Sequence, residues 1–162
     1  MLVLARAITY ASLFIGFMFI YLPARLLSWT GIGRPEAIGW PQVAGMLIGS
    51  IGAAVALSCV CAFVWIGRGT PAPFDPPRRL VNRGPYRFVR NPMYLGAGLA
   101  LAGAALFYLS APLLVYAVLF LLAAHCFVVF YEEPVLRRSF GPDYESYCQR
   151  VGRWWPGVRA VQ

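Results

Sequence analysis

Two adjacent carboxylates, Glu132 and Glu133, stand where a long apolar stretch gives way to polar sequence. If that stretch is helical, both sit at the negative end of its macrodipole and call for a nearby cation. Arg137 and Arg138, one turn on, would make the pair a solvated boundary. The chemical alternative is a carboxylate aimed at a cationic ligand or at ribose hydroxyls. His125 lies about two helical turns earlier, on the same face as Glu132 if the helix is regular. A histidine inside an apolar span is a functional candidate by default, with a hydrogen bond to a neighbouring helix as the other reading. A third group, Asn91-Pro92-Met93-Tyr94, opens another apolar stretch, where Asn suits a helix cap and Pro the first turn. Gly96, Ala100 and Gly103 follow at a spacing that lets two helices approach closely. Cys59, Cys61, Cys126 and Cys148 form neither a CxxC pair nor a Cys/His cluster. They read as small hydrophobes, and no metal centre is expected.

The elements that must hold these groups are membrane helices. Hydrophobic residues make up 60% of the 162-residue chain and charged residues 12%, about half the charged share of a soluble domain. The apolar residues fall into runs long enough to cross a bilayer, which takes roughly 20 helical residues. About four spans are expected: Leu2 to Leu27, Trp40 to Ile66, Pro92 to Leu109 and Ala111 to Tyr131. The first is longer than a signal-peptide core and lacks a clear cleavage site, so it reads as a retained helix. Only Ser110 separates the last two, which requires a tight antiparallel hairpin. The fold class is therefore all-α integral membrane. Residues 1–66 form two amino-terminal helices, and residues 67–162 form one unit that carries the polar chemistry.

The net charge of +8 comes from arginine alone, since the chain has no lysine. The arginines flank apolar segments instead of building a basic domain, so nucleic acid is not an expected partner. Arg68, Arg78, Arg79, Arg83, Arg87 and Arg90 crowd the loop between the second and third spans. Arg137, Arg138, Arg150, Arg153 and Arg159 follow the fourth. The positive-inside rule puts that loop and both termini in the cytoplasm, as expected of a multi-pass protein of a bacterial inner membrane. The prolines of residues 69–77 favour a stiff extended connection. Beyond Gly141, Tyr144, Tyr147 and Val151 form one apolar stripe, so an amphipathic carboxy-terminal segment is expected to lie on the membrane surface. The sequence carries no signal for an oligomeric state.

The order of these elements resembles the isoprenylcysteine carboxyl methyltransferases and the related phospholipid N-methyltransferases. Their R-[HN]-P-x-Y-x-G element is matched by Arg90-Asn91-Pro92-Met93-Tyr94-Leu95-Gly96. A helical hairpin and the carboxylate pair follow, then Phe140-Gly141, Tyr144, Tyr147, Val151 and Pro156. The resemblance covers roughly residues 78–157. It implies a transferase that takes a methyl group from S-adenosylmethionine and passes it to a lipophilic acceptor from the bilayer. It further implies that Arg79, Leu80, Val81, Tyr86, Arg90, Asn91, Pro92, Met93, Tyr94 and Glu132 bind the donor.

The acceptor is less uniform in its signals. Asn91 stands where the carboxyl methyltransferases usually have His, and Val128 where they place a substrate-binding arginine. Tyr131-Glu132-Glu133-Pro134 looks more like the phospholipid N-methyltransferases, whereas the tail looks more like the carboxyl methyltransferases. Both an isoprenylcysteine-like carboxylate and a lipid head-group amine stay open. A carboxylate acceptor needs no base; an amine does, and Glu133 or His125 would be the catalytic candidates. A membrane reductase of the sterol-reductase type, using a nicotinamide cofactor, and a non-catalytic accessory protein are the competing expectations.

Overall fold

The computed structural model describes residue 12, residues 15–62 and residues 80–157. Arg79 and the proline loop of residues 69–77 lie outside the described residues, as does the start of the expected first span. A π turn over Gly16–Tyr21 runs into α1 (Leu22–Trp29). Helix α2 spans Trp40–Ala62 and α3 spans Pro92–Phe107, with a 3-10 turn at Gly84–Arg87 before α3. Helix α4 (Ala111–Phe127) passes through a second π turn, Val128–Glu132, into α5 (Glu133–Arg150).

Two helical stretches, Trp40–Ala62 and Ala111–Arg150, are long and apolar enough to cross a membrane. The second is too long to lie wholly within one. At 1.5 Å per residue, its apolar part from Ala111 to Tyr131 already covers about 30 Å, the thickness of a hydrocarbon core. Helix α3 is apolar but has 16 residues, about 24 Å. On α2, Leu47, Ile51 and Leu57 face outward, as do Leu114, Val115, Val118, Leu119 and Leu122 on α4. Water would not tolerate apolar patches of that extent, whereas lipid does. Trp29 and Trp40 stand almost fully exposed at one end, as aromatic side chains do at a membrane boundary. The chain is an all-α membrane protein.

Helices α2 and α3 pack antiparallel through glycine. A Cβ on Gly52 would come within 2.5 Å of the Ala100 nitrogen and the Gly96 oxygen. One on Gly45 would meet the Gly103 oxygen at 2.6 Å. Backbones this close gain dispersion contacts that larger residues would prevent, the main attraction available between helices in lipid. Buried Gln42 locks the far end. Its Nε2 donates to the Phe107 carbonyl at 3.3 Å and its Oε1 accepts from the Gly39 N–H at 3.0 Å. One of the carbonyls that every helix end leaves unpaired is thereby satisfied.

The hairpin from α3 to α4 forms as its sequence requires, but α3 stops at Phe107 instead of Leu109. Leu109 takes φ +49, a left-handed conformation usually given to glycine. The Leu109 and Ser110 N–H groups bond back to Leu106 and Ala105, closing the helix end. Ser110 then caps α4 by accepting from the Leu113 N–H at 3.3 Å. On the other flank, Phe19 meets Phe120 edge-on, and the Tyr116 hydroxyl donates to the Met18 carbonyl at 2.8 Å.

The carboxy-terminal segment corrects an expectation. The stripe Tyr144, Tyr147 and Val151 does not lie against a membrane. It is buried within the protein, packed with Leu80, Leu136 and Phe140. The reversal comes from Gly141, at φ +48, followed by Pro142, which together kink α5 and fold its second half onto the loop before α3. Tyr147 fixes the contact by donating its hydroxyl to the Tyr86 carbonyl at 2.6 Å.

The glycine contact is directly testable. Gly52→Ala should destabilise the protein by about 1–3 kcal/mol through overpacking. Gly49→Ala, whose new Cβ would meet nothing closer than 3.8 Å, should be neutral or slightly stabilising. Thermal melting of the detergent-solubilised variants separates the two; equal melting temperatures would contradict the packing described.

Candidate functional site

The polar groups converge where α3 begins and α4 ends. Asn91 occupies the cap position of α3, as its sequence implies, but its side chain makes no capping bond. Instead its Nδ2 donates to the Arg153 carbonyl at 3.2 Å, reaching the carboxy-terminal tail. The preceding residues do the same with their backbone. Val89 pairs with Gly152, and the Arg90 N–H donates to the Gly152 carbonyl at 2.9 Å. The loop into α3 and the tail after α5 are one stitched unit.

Glu133 is the hub of that unit. It is 5% exposed, and it opens α5 where the long helix leaves the π turn without a break. Arg153 grips it in a fork, Nε to Oε1 at 2.7 Å and Nη2 to Oε2 at 2.9 Å. Arg90 Nη1 adds a second ion pair at 3.2 Å and also donates to the Cys148 sulfur at 2.7 Å. Burial alone would raise the Glu133 pKa, but the Arg153 hydrogen bonds and the charges of Arg90, Arg153 and Arg137 outweigh it. The carboxyl is held below its ordinary range. Arg137 forms its own ion pair with Glu145 at 2.6 Å on the surface, and the burial of Glu133 rules out a solvated boundary pair.

Glu132 is placed differently. It ends the π turn, half-buried, and the Tyr94 hydroxyl donates to its Oε2 at 3.1 Å. Among the described residues no cation pairs with it. Burial raises its pKa; the Tyr94 bond opposes that and the Glu133 charge adds to it. Buried Tyr86 lies within electrostatic reach and packs with Val81, Cys59 and Ala62, against which Met93 also rests. Leu80 belongs to the neighbouring cluster of Tyr144, Tyr147 and Val151. Of the residues expected to bind a cofactor, Val81, Tyr86, Met93, Tyr94 and Glu132 thus share one end of the bundle. Leu80, Arg90 and Asn91 support the tail beside it, and Pro92 is buried at the start of α3.

His125 departs from this grouping. A regular helix would bring it and Glu132 to one face, but the π turn carries an extra residue, with the Glu133 N–H bonded to the Val128 carbonyl. That insertion rotates everything beyond it by about 100°. His125 instead accepts a hydrogen bond at Nδ1 from Trp154 Nε1, at 3.0 Å. Val128, at 1% exposure, packs inside the protein and offers nothing to a ligand.

Arg153 and Trp154 are the residues that sequence reasoning missed as site components. In the sequence Arg153 reads only as a topological charge. The available signal was the carboxylate pair itself, because a buried glutamate needs more than one donor to stay ionised.

The phospholipid methyltransferase family model matches residues 40–143. This chain belongs to that family. The match takes in α2, α3, α4, the π turn and the glutamate pair, and membership carries the coarse function of a membrane methyltransferase. It lends no support to the reductase reading. Searches of curated proteins and of solved structures return no significant match.

The Glu133 network makes a signed prediction about pH. A carboxyl whose folded pKa lies below the ordinary 4.5 contributes its stabilisation in full above that value. It loses the contribution as pH falls through the lowered pKa. Glu133→Gln should cost about 2–3 kcal/mol at neutral pH, less than a fully buried pair because Arg153 is a third exposed. The acid-induced loss seen in the wild type should be smaller in the variant. Chemical denaturation across the acid range measures both, and superimposable curves would contradict the assignment.

Proposed function

We propose that this protein transfers a methyl group from S-adenosylmethionine to a lipophilic acceptor, a lipid head-group amine in preference to an isoprenylcysteine-like carboxylate. The observation that carries the reading is Glu132. It is a half-buried carboxylate held by one neutral hydroxyl, with no cation paired to it among the described residues. Such a group is costly until a positive charge approaches it. A carboxylate open to a cation fits a molecule that carries a sulfonium and an ammonium.

When bound, S-adenosylmethionine would supply a methyl group already activated by its sulfonium. The work left to the chain is orientation and the exclusion of water, which account for large rate gains without covalent help. Glu132 would hold the donor's cationic part, with Tyr94 fixing the carboxylate's rotamer through its hydroxyl. Tyr86, Val81 and Met93 would provide an apolar wall. Glu133, clamped by two guanidiniums and held below the ordinary carboxyl range, is a poor proton acceptor, so an amine acceptor would lose its proton to water at the membrane surface and attack as the free amine. The proposed role of Glu133 is to hold the tail closed. The preference for an amine rests on Val128, a buried apolar residue where the carboxyl methyltransferases place a substrate-binding arginine. The arginine distribution supports a multi-pass arrangement with this end of the bundle and both termini in the cytoplasm of a bacterial inner membrane.

Calorimetric titration of the solubilised protein with S-adenosylmethionine and with S-adenosylhomocysteine tests the reading. The wild type should prefer the donor, which carries the sulfonium charge, over the product, which has lost it. Glu132→Gln should weaken donor binding about 10- to 100-fold and erase that preference. Unchanged donor affinity in the variant would refute the role given to Glu132.

A further inference from the structure

Two consecutive tail residues make side-chain bonds to the same long helix on either side of its π turn. Arg153 grips Glu133 immediately beyond the turn, and Trp154 Nε1 donates to His125 Nδ1 at 3.0 Å before it. The residues between, Val128–Glu132, carry the π turn whose last member is the carboxylate facing Tyr94. We propose that His125 and Trp154 are positioning residues. Their hydrogen bond seats the tail as a clasp across the π turn and so holds Glu132 in its aim toward Tyr94 and the donor. This inference rests on the function proposed above.

The geometry argues against His125 as a proton carrier. In the tautomer that accepts from Trp154, Nδ1 is occupied and Nε2 carries the hydrogen. No ring nitrogen is then free to take a proton until the Trp154 bond breaks. The position explains why the bond exists. His125 precedes Tyr131 by six residues, about 9 Å along the helix, and so sits inside the apolar zone, where an unsatisfied polar atom is costly. The indole of Trp154 brings both a donor and an apolar body to that depth.

The tail is shaped for this one pose. Gly152 lies so close to the Trp155 carbonyl that any Cβ there would collide with it. The turn that follows directs Trp154, half-buried, toward α4 and leaves Trp155 exposed. Backbone bonds from Arg90 to Gly152 and from the Asn91 side chain to Arg153 set the register of the clasp from the other side.

Three variants separate positioning from proton transfer: Trp154→Phe, which removes the donor and keeps a ring; His125→Leu, which removes the acceptor; and His125→Asn, which keeps an acceptor oxygen near the Nδ1 position and cannot titrate near neutral pH. Limited trypsin digestion of the full-length protein, read by mass spectrometry, reports opening of the tail at the Arg153–Trp154 bond. Cleavage there should quicken in the first two variants and return toward the wild-type rate in His125→Asn. In methyl-transfer assays the first two should raise the donor KM about 2- to 10-fold with little change in kcat. Their combination should be no worse than either alone. Trp154→Phe with wild-type digestion and KM would overturn the proposal. So would His125→Asn that abolishes kcat while keeping the tail protected, since that outcome marks a base. A wild-type protein that binds no donor would sink the functional reading. The digestion pattern needs no donor and tests the clasp independently.

Discussion

A carboxylate with 5% of its surface exposed must be neutralised where it stands, and the arrangement of the site follows from how Glu133 meets that demand. One guanidinium comes from the loop before α3 and the other from the tail after α5. Three segments far apart in sequence are therefore tied at one point. The Tyr144, Tyr147 and Val151 stripe becomes core instead of a membrane-facing surface because the tail is drawn back onto the protein. The neighbouring Glu132, one residue away and bonded to Tyr94, has no cation of its own among the described residues. Two adjacent carboxylates acquire opposite characters. One is saturated and kept ionised by arginines, and the other has its pKa raised by burial and is open to a ligand.

The packing of the helices sets where that pair can sit. Glycine on both α2 and α3 allows backbone contact, which fixes the height of α3 and hence of Tyr94 near its start. The short turn at Leu109 and Ser110 ties α4 to the far end of α3. The exit of α4 is thereby brought level with the entry of α3. Tyr94 and Glu132, 38 residues apart in sequence, meet because both helices are anchored at the opposite end.

Much of this was legible in the sequence. Hydropathy marked the membrane helices, Ser110 marked the hairpin, and Asn91-Pro92 marked the start of α3. Carboxylates are disfavoured at the end of a helix, which makes the glutamate pair conspicuous; in the structure the helix does not end there, and Glu133 opens its next segment. What stayed hidden was the consequence of one local hydrogen-bond shift. A π turn has no compositional mark, yet it breaks the seven-residue register that would have paired His125 with Glu132. The partners Arg153 and Trp154 were hidden for a second reason. The tail reads as amphipathic from its own residues, and the kink at Gly141 together with the tail's bonds to Glu133 and Asn91 turns that face to protein instead of lipid. The family match stops at residue 143, so neither tail residue falls within it.

The most direct measurement of the central claim is methyl transfer in reconstituted vesicles with labelled S-adenosylmethionine. The acceptor panel would hold head-group amines, prenylated thiols and prenylated carboxylates, with products identified by mass spectrometry. The account predicts label in the lipid fraction, carried on a head-group nitrogen. Label on a prenylated carboxylate would contradict the acceptor assignment. No transfer to any member of the panel, by protein shown to be folded, would contradict the function itself.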